Sequence, residues 1–162
     1  MRVVLEHYPV RSIRDIGNSP GPSGFGPWDA KRLKIEGQAL SRNDIEHRIL
    51  RPIWRDPRVH YALNGASLGC PNLMPVAFTV FNLEAQLEEA ARAYVNHRRG
   101  VRFEGDRLIV SSLYVWYQQD FGGNAAGVLE HLRRYARGPL AERLAAWQGG
   151  FSDAYDWALN AP

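Results

Sequence analysis

Lysine is nearly missing from this chain, and cysteine occurs once. Of the 20 basic residues only Lys31 and Lys34 are lysines; the rest are arginines. A single Cys70 excludes an internal disulfide, so cysteine usage gives no argument for export to an oxidising compartment. Long apolar runs are also lacking: none approaches the roughly 20 residues that a membrane span requires. The first apolar stretch is broken by Glu6 and His7, too early for a secretory signal. A cytoplasmic chain without a membrane partner is the expectation. Nor is there a large surplus of one charge sign, the net charge being +3. The only adjacent arginine pairs, Arg98-Arg99 and Arg133-Arg134, stand near the ends or exposed faces of expected helices. No basic stripe interleaved with aromatics accompanies them, so no nucleic-acid partner is expected.

What remains is ordinary for a folded protein. The 162 residues, 45% hydrophobic and 23% charged, suit a single domain over 1–162 with a sizeable core. Arg2 to Tyr8 reads as the end of an apolar helix stopped by Tyr8-Pro9, beginning in mid-pattern without a cap. Ser12 to Ile16 fits one further turn. Gly17 to Pro27 holds four glycines and three prolines and must be loop. It lacks any phosphate-binding pattern, though its place suits a lid.

Lys31 to Leu40 reads as a hairpin turning at Glu36-Gly37. Ser41 and Asp44 have the spacing of a capping box and open a helix to about Trp54, ended by Asp56-Pro57. Val59 to Asn64 follows as a short buried strand. Asn82 starts a helix with the apolar face Leu83, Leu87, Ala90, Ala91 and Tyr94, closed by Gly100. Val101 to Val110 is a second hairpin with Gly105-Asp106 at its tip. Ser111 to Asp120 is a short aromatic helix ended by Gly122-Gly123. Two more helices run from Gly127 to Arg137 and, with Pro139 in the first turn, from Leu140 to Gln148. The tail Tyr155 to Asn160 alternates like an edge strand. The fold class is α+β, helix-rich, with two β-hairpins and one short buried strand.

Chemistry is concentrated in two places. At 100° per residue Ile45, Ile49, Leu50 and Ile53 form an apolar stripe with Glu46 in its middle. An unpaired carboxylate there would cost several kcal/mol, so Glu46 must be paired, protonated or turned to a cavity. Arg42 and Arg58 are candidate structural partners. His47 stands beside it on the edge of the stripe.

On the expected strand, alternation puts His60, Ala62 and Asn64 on one face and Val59, Tyr61 and Leu63 on the other. The second set looks like core. Cys70 lies six residues beyond Asn64, near enough for the loop to fold the thiol back toward His60. A Cys with a nearby imidazole is the minimum for a nucleophile, with Asn64 or a carboxylate such as Glu46 orienting the ring. A lone Cys before Pro71 equally suits plain packing. Tyr114, Trp116, Tyr117 and Phe121 read as core or as the wall of a pocket, and Asp120 as a surface acid or a supporting partner.

In combination, Asp44-Ile-Glu-His47, Asp56-Pro-Arg-Val-His-Tyr-Ala-Leu-Asn64 with Ser67 and Cys70-Pro71, Trp116-Tyr117 with Asp120-Phe121, and Tyr155-Asp-Trp-Ala-Leu-Asn160 resemble domain-of-unknown-function family 547 over nearly the whole chain. The resemblance brings no assigned activity. It implies a second Cys where Gly65 stands here, which makes a dithiol cycle doubtful for this chain. It also implies further helices upstream of Arg2, so the chain looks shortened at its start. The apolar surface uncovered there would suit a partner chain or a homo-oligomer.

Three readings stay open. Cys70, His60 and Asn64 or Glu46 form the site of a thiol-dependent hydrolase or acyltransferase for a small-molecule or peptide ligand, with no cofactor. The domain is instead a non-catalytic binding or scaffold module, with Glu46, His60 and Arg58 as a buried polar network. Or His47, His60 and Cys70 hold a metal.

Overall fold

Local turn chemistry decides most of the elements. The computed structural model describes residues 2–16 and 26–159, which divide into two compact units. The first comprises Met1–Asp56, Gly65–Leu68 and Trp157–Pro162, and the second Pro57–Asn64 and Gly69–Asp156. Most of the expected loop from Gly17 to Pro27, with its reading as a lid, lies outside the described residues, as does Asn160.

In the first unit, helix α1 spans Arg2–His7. The turn Ile13–Asp15 is closed at both ends of a capping box between Ser12 and Asp15. Strands β1 (Leu33–Ile35) and β2 (Gln38–Leu40) form the expected hairpin. Glu36 and Gly37 turn it with φ of 48° and 83°, the left-handed pair that matches strand twist. Ser12 Oγ donates to Trp157 O at 2.7 Å, and Ser12 and Ser67 make isolated bridges to Ala158 and Leu159. The tail is therefore held by single bridges rather than by the edge strand expected over Tyr155 to Asn160.

Ser41 and Asp44 do cap a helix. The Ser41 N–H donates to Asp44 Oδ2 at 2.9 Å, and the Asp44 N–H returns to Ser41 Oγ at 3.0 Å. These bonds, with Lys31 Nζ at 3.1 Å, hold the Asp44 carboxyl far below its ordinary value. The sign follows: a depressed carboxylate stabilises the fold above the ordinary value of 3.8, and the contribution is lost as pH falls below it. An Asp44→Asn variant is therefore expected to melt below wild type at pH 7. In a melting series against pH the gap should narrow below pH 3.8. A gap independent of pH would deny this role for the ionised carboxylate.

Beyond the cap, Asp44–Leu50 forms a wide helix, with Arg51 N–H donating to Glu46 O five residues back, before α2 (Arg51–Trp54). A wide turn rotates less per residue than the 100° of an α-helix. The side chain after it leaves the expected stripe: Ile53 is exposed, while Glu46 is buried at 1%.

The second unit opens on a correction. Val59–Ala62 is one helical turn, α3, not a strand. Pro57 supplies the start: its carbonyl accepts from the His60 N–H at 3.2 Å and that of Arg58 from Tyr61 at 3.0 Å. Proline suits the first position of a helix, where no donor is needed. Alternation then fails, and Val59, His60 and Tyr61 are all buried.

Helix α4 (Leu83–Val95) buries Leu87, Ala90, Ala91, Tyr94 and Val95. Strands β3 (Val101–Glu104) and β4 (Arg107–Ser111) form the second hairpin around Gly105, at φ 57°. After α5 (Leu113–Trp116) come α6 (Ala125–Tyr135), capped by Asn124, and α7 (Gly138–Ala146) with Pro139 in its first turn. Strand β5 (Ser152–Ala154) pairs parallel to β4, a few residues earlier than the expected edge strand. The core of this unit joins Tyr61, Tyr94, Val110, Tyr114, Phe121, Leu132 and Leu144. The class is helix-rich α+β. No helix among the described residues is long and apolar enough to cross a membrane.

Candidate functional site

A one-turn helix points consecutive side chains in different directions, and α3 uses this. His60 faces the turn that follows α5. Its Nε2–H donates to Asp120 Oδ2 at 2.7 Å. Its ring stacks on Tyr117 at 4.0 Å between centroids, 24° from parallel, and Phe121 closes another side at 5.5 Å. The turn itself is set by the Asp120 N–H donating to Tyr117 O at 2.8 Å, so stacking ring and carboxylate reach the imidazole from one short segment. The His60 side chain is 1% exposed and that of Asp120 23%, so this pair meets water through the carboxylate.

Tyr61, next along α3, faces the core. Its hydroxyl lies 2.7 Å from His131 Nε2 and 3.3 Å from the Tyr114 hydroxyl. Burial pushes the Tyr61 and Tyr114 phenols up, so both stay neutral hydrogen-bonding groups. This polar pair, enclosed in aromatic rings, fixes the direction in which α3 presents His60.

Cys70 is buried, and its Sγ lies 3.0 Å from the Tyr155 hydroxyl. Gly69 makes this approach possible, because a Cβ there would stand 2.8 Å from the Tyr155 ring. The Gly69 carbonyl accepts from the Tyr94 hydroxyl at 2.6 Å, and burial pushes that phenol up to about 12. Tyr155 packs against Trp116 at 4.7 Å, and Trp116 precedes the Tyr117 that stacks on His60. Tyr117 thus stacks on the imidazole directly, and its neighbour Trp116 packs on the tyrosine that holds the thiol.

The other expected residues have definite places. The Asn64 side-chain amide donates to Pro71 O at 2.8 Å, bracing the backbone just after Cys70. Glu46 and His47 belong to the first unit. Glu46 Oε2 is 3.1 Å from Arg42 Nη1, one of the two arginines expected to pair with it. His47 Nδ1 is 3.0 Å from Arg51 Nη1. Arg58, the other candidate, pairs with Glu84 at 2.9 Å and Glu88 at 3.1 Å. Among the described residues no group of three or more His, Cys, Asp and Glu side chains could hold a metal ion, so the ligand set His47, His60 and Cys70 gains no support.

Asp120, which the sequence leaves open as a surface acid or a supporting partner, contacts His60, and Tyr155 carries a contact that sequence reasoning did not assign. For Asp120 the signal was present in Tyr117-Gln-Gln-Asp120, since a carboxylate three residues after a ring shares its side of a turn. Tyr155 had no such signal, being 85 residues from Cys70.

The family model described as "Protein of unknown function, DUF547" matches residues 5–95. The match includes Cys70 and His60 but ends before Trp116, a shorter span than the nearly complete one expected. No curated protein and no solved structure matches the chain.

Proposed function

The chain belongs to the DUF547 family, and from the chemistry around its α3 turn we propose a thiol-dependent hydrolase or acyltransferase. The observation that carries this is the part-buried His60–Asp120 bond of 2.7 Å. A carboxylate on Nε2–H assigns the ring proton to that nitrogen and makes Nδ1 the basic one, the tautomer a general base requires. In the proposed reaction His60 Nδ1 takes the Cys70 proton and the sulfur attacks an acyl carbon, forming a thioester. The leaving alcohol, thiol or amine departs with the proton from His60. Water, or an acceptor nucleophile, then attacks the thioester and gives its proton to His60; the C–S bond breaks, the acid or transferred acyl product leaves, and the proton passes from His60 to the Cys70 thiolate. Asp120 takes the orienting role that Asn64 or Glu46 was expected to fill. Tyr155 holds the sulfur. A small acyl ester or a peptide is the substrate class, with no cofactor in any step. A lone working thiol also suits a reducing, cytoplasmic setting.

The scaffold alternative draws on one observation, the burial of the Cys70 thiol against Tyr155. Purified protein assayed against aryl esters and thioesters separates the two. Turnover that stops when the protein is alkylated with iodoacetamide supports the enzyme. A chain inert toward every ester, in which Cys70→Ala leaves melting unchanged, is a scaffold.

A further inference from the structure

Main-chain bonds fix the Tyr155 phenol from both sides. Ala154, the last residue of β5, stands opposite Ser111 of β4, and its carbonyl accepts from the Ser112 N–H at 3.1 Å. The Asp156 carbonyl accepts from the Gly69 N–H at 2.9 Å. The residue before Cys70 is therefore joined to the residue after Tyr155, and the two side chains meet beside that joint, Sγ 3.0 Å from the hydroxyl. Trp116 lies against the phenol ring at 4.7 Å between centroids, 55° from parallel. Gly69 lies against it too, where a Cβ would stand 2.8 Å away. Ring and backbone are both held, so the hydroxyl meets the sulfur without reordering when the charge on sulfur changes.

While the thiol keeps its proton, either atom of this pair can donate. Once that proton is gone only the hydroxyl can, because a thiolate has no hydrogen to give. Cys70 is 5% exposed, so a charge on its sulfur is largely out of water and needs donors from the protein. A hydrogen bond to a charged acceptor is stronger than one to the neutral form, by about tenfold or more in the equilibrium between the two. We propose that the Tyr155 hydroxyl is the donor that stabilises the Cys70 thiolate, which makes Tyr155 a further catalytic residue. It meets the sulfur when His60 removes the thiol proton, and again when the thiolate departs from the thioester. Tyr155 keeps its own proton throughout. This rests on the reading of Cys70 as the reacting thiol and gives the phenol beside it a role that packing alone does not.

Alkylation of the sole thiol by iodoacetamide over a pH series, followed by mass spectrometry, tests the role without a substrate. Tyr155→Phe is expected to move the profile about one unit to higher pH, a tenfold loss of thiolate at the acid end. A more basic sulfur is also a better nucleophile, with a Brønsted slope of about 0.4–0.5. The net expectation is a rate about three- to fourfold below wild type at the acid end and about threefold above it at the alkaline end. The two curves cross. A mere change of access to the thiol scales every rate alike and gives no crossing. Fluorotyrosine at position 155 keeps the ring and strengthens the donor. Read at the acid end, where its phenol stays protonated, that chain is expected to alkylate faster than wild type, whether or not the Phe variant folds.

Parallel curves, an unmoved Tyr155→Phe profile, or a fluorotyrosine chain no faster than wild type would each overturn the assignment. A wild-type thiol left unlabelled across the series would overturn it together with the thiol reading. Turnover of aryl esters separates the two claims. Crossing curves in a chain inert toward every ester would keep the Tyr155 donor and remove the acyl chemistry. Ester turnover with parallel curves would do the reverse.

Discussion

Asp120→Asn is expected to lower kcat/KM for a good acyl ester by about 10³-fold, and Cys70→Ala to remove turnover. The expectation rests on which proton the Asp120 carboxylate holds. As a carboxylate it accepts the His60 Nε2–H at 2.7 Å. As an amide it can instead offer an N–H to that nitrogen, which moves the ring proton to Nδ1 and leaves no base there. In a Ser-His-Asp site the same change costs about 10⁴ in rate through the wrong tautomer. His60→Ala removes the base itself, and a positioned general base contributes about 10²–10⁴. The loss should fall on kcat more than on KM, since Asp120 touches the ring and not the substrate. Steady-state kinetics on an aryl-ester series, with circular dichroism on each variant, measures this. Equal turnover in Asp120→Asn and wild type would remove Asp120 from the mechanism.

The second large effect concerns the fold around that site. Gly100 joins α4 to β3, its N–H donating to His97 O and its carbonyl accepting from Ser111 N–H, both at 2.8 Å. A Cβ there would stand 2.0 Å from the Tyr94 carbonyl oxygen. That oxygen is backbone and already accepts from the His97 N–H, so it cannot swing away. Gly100→Ala is therefore expected to cost about 3 kcal/mol or more, the upper range for overpacking. In a chain of this size that lowers Tm by roughly 10 °C. Gly105→Ala is the control. Its φ of 57° lies in the left-handed region, as that of Gly100 does not, but nothing lies within 4 Å of the added carbon. Only the left-handed strain of about 1–2 kcal/mol remains. Thermal melts that rank the two the other way would contradict the packing around Tyr94.

The contrast between these glycines shows what a linear reading reaches. The hairpin around Gly105-Asp106, the Ser41–Asp44 cap and the burial of α4 rest on contacts between near neighbours, and each was legible. Val59 to Asn64 was misread because a short apolar run suits either a strand or a buried turn. Pro57 decides between them, because a proline that stops one helix also starts the next, its carbonyl accepting from the His60 N–H. Beyond Ser41, one wide turn shifts the helical phase, so Glu46 is buried as expected while Ile53 of the expected stripe is exposed. No local pattern announces such a turn.

The candidate site was half legible for the same reason. His60 and Cys70 stood out through residue type and closeness in the chain. Their partners Asp120 and Tyr155 come from 60 and 85 residues away. Only the folding of the second unit brings them in. Asn64, near in sequence and polar, is a natural candidate to orient the ring; its side-chain amide donates to Pro71 O and braces the backbone after Cys70.

Rapid mixing of the protein with an activated acyl ester, followed by acid quench and peptide mass spectrometry, asks the question with fewest intermediaries. One acyl group on the Cys70 sulfur, formed in wild type and missing from His60→Ala, is the expected outcome. Acylation confined to Lys31 or Lys34, or sulfur labelled equally fast without the imidazole, would mean that His60 activates nothing.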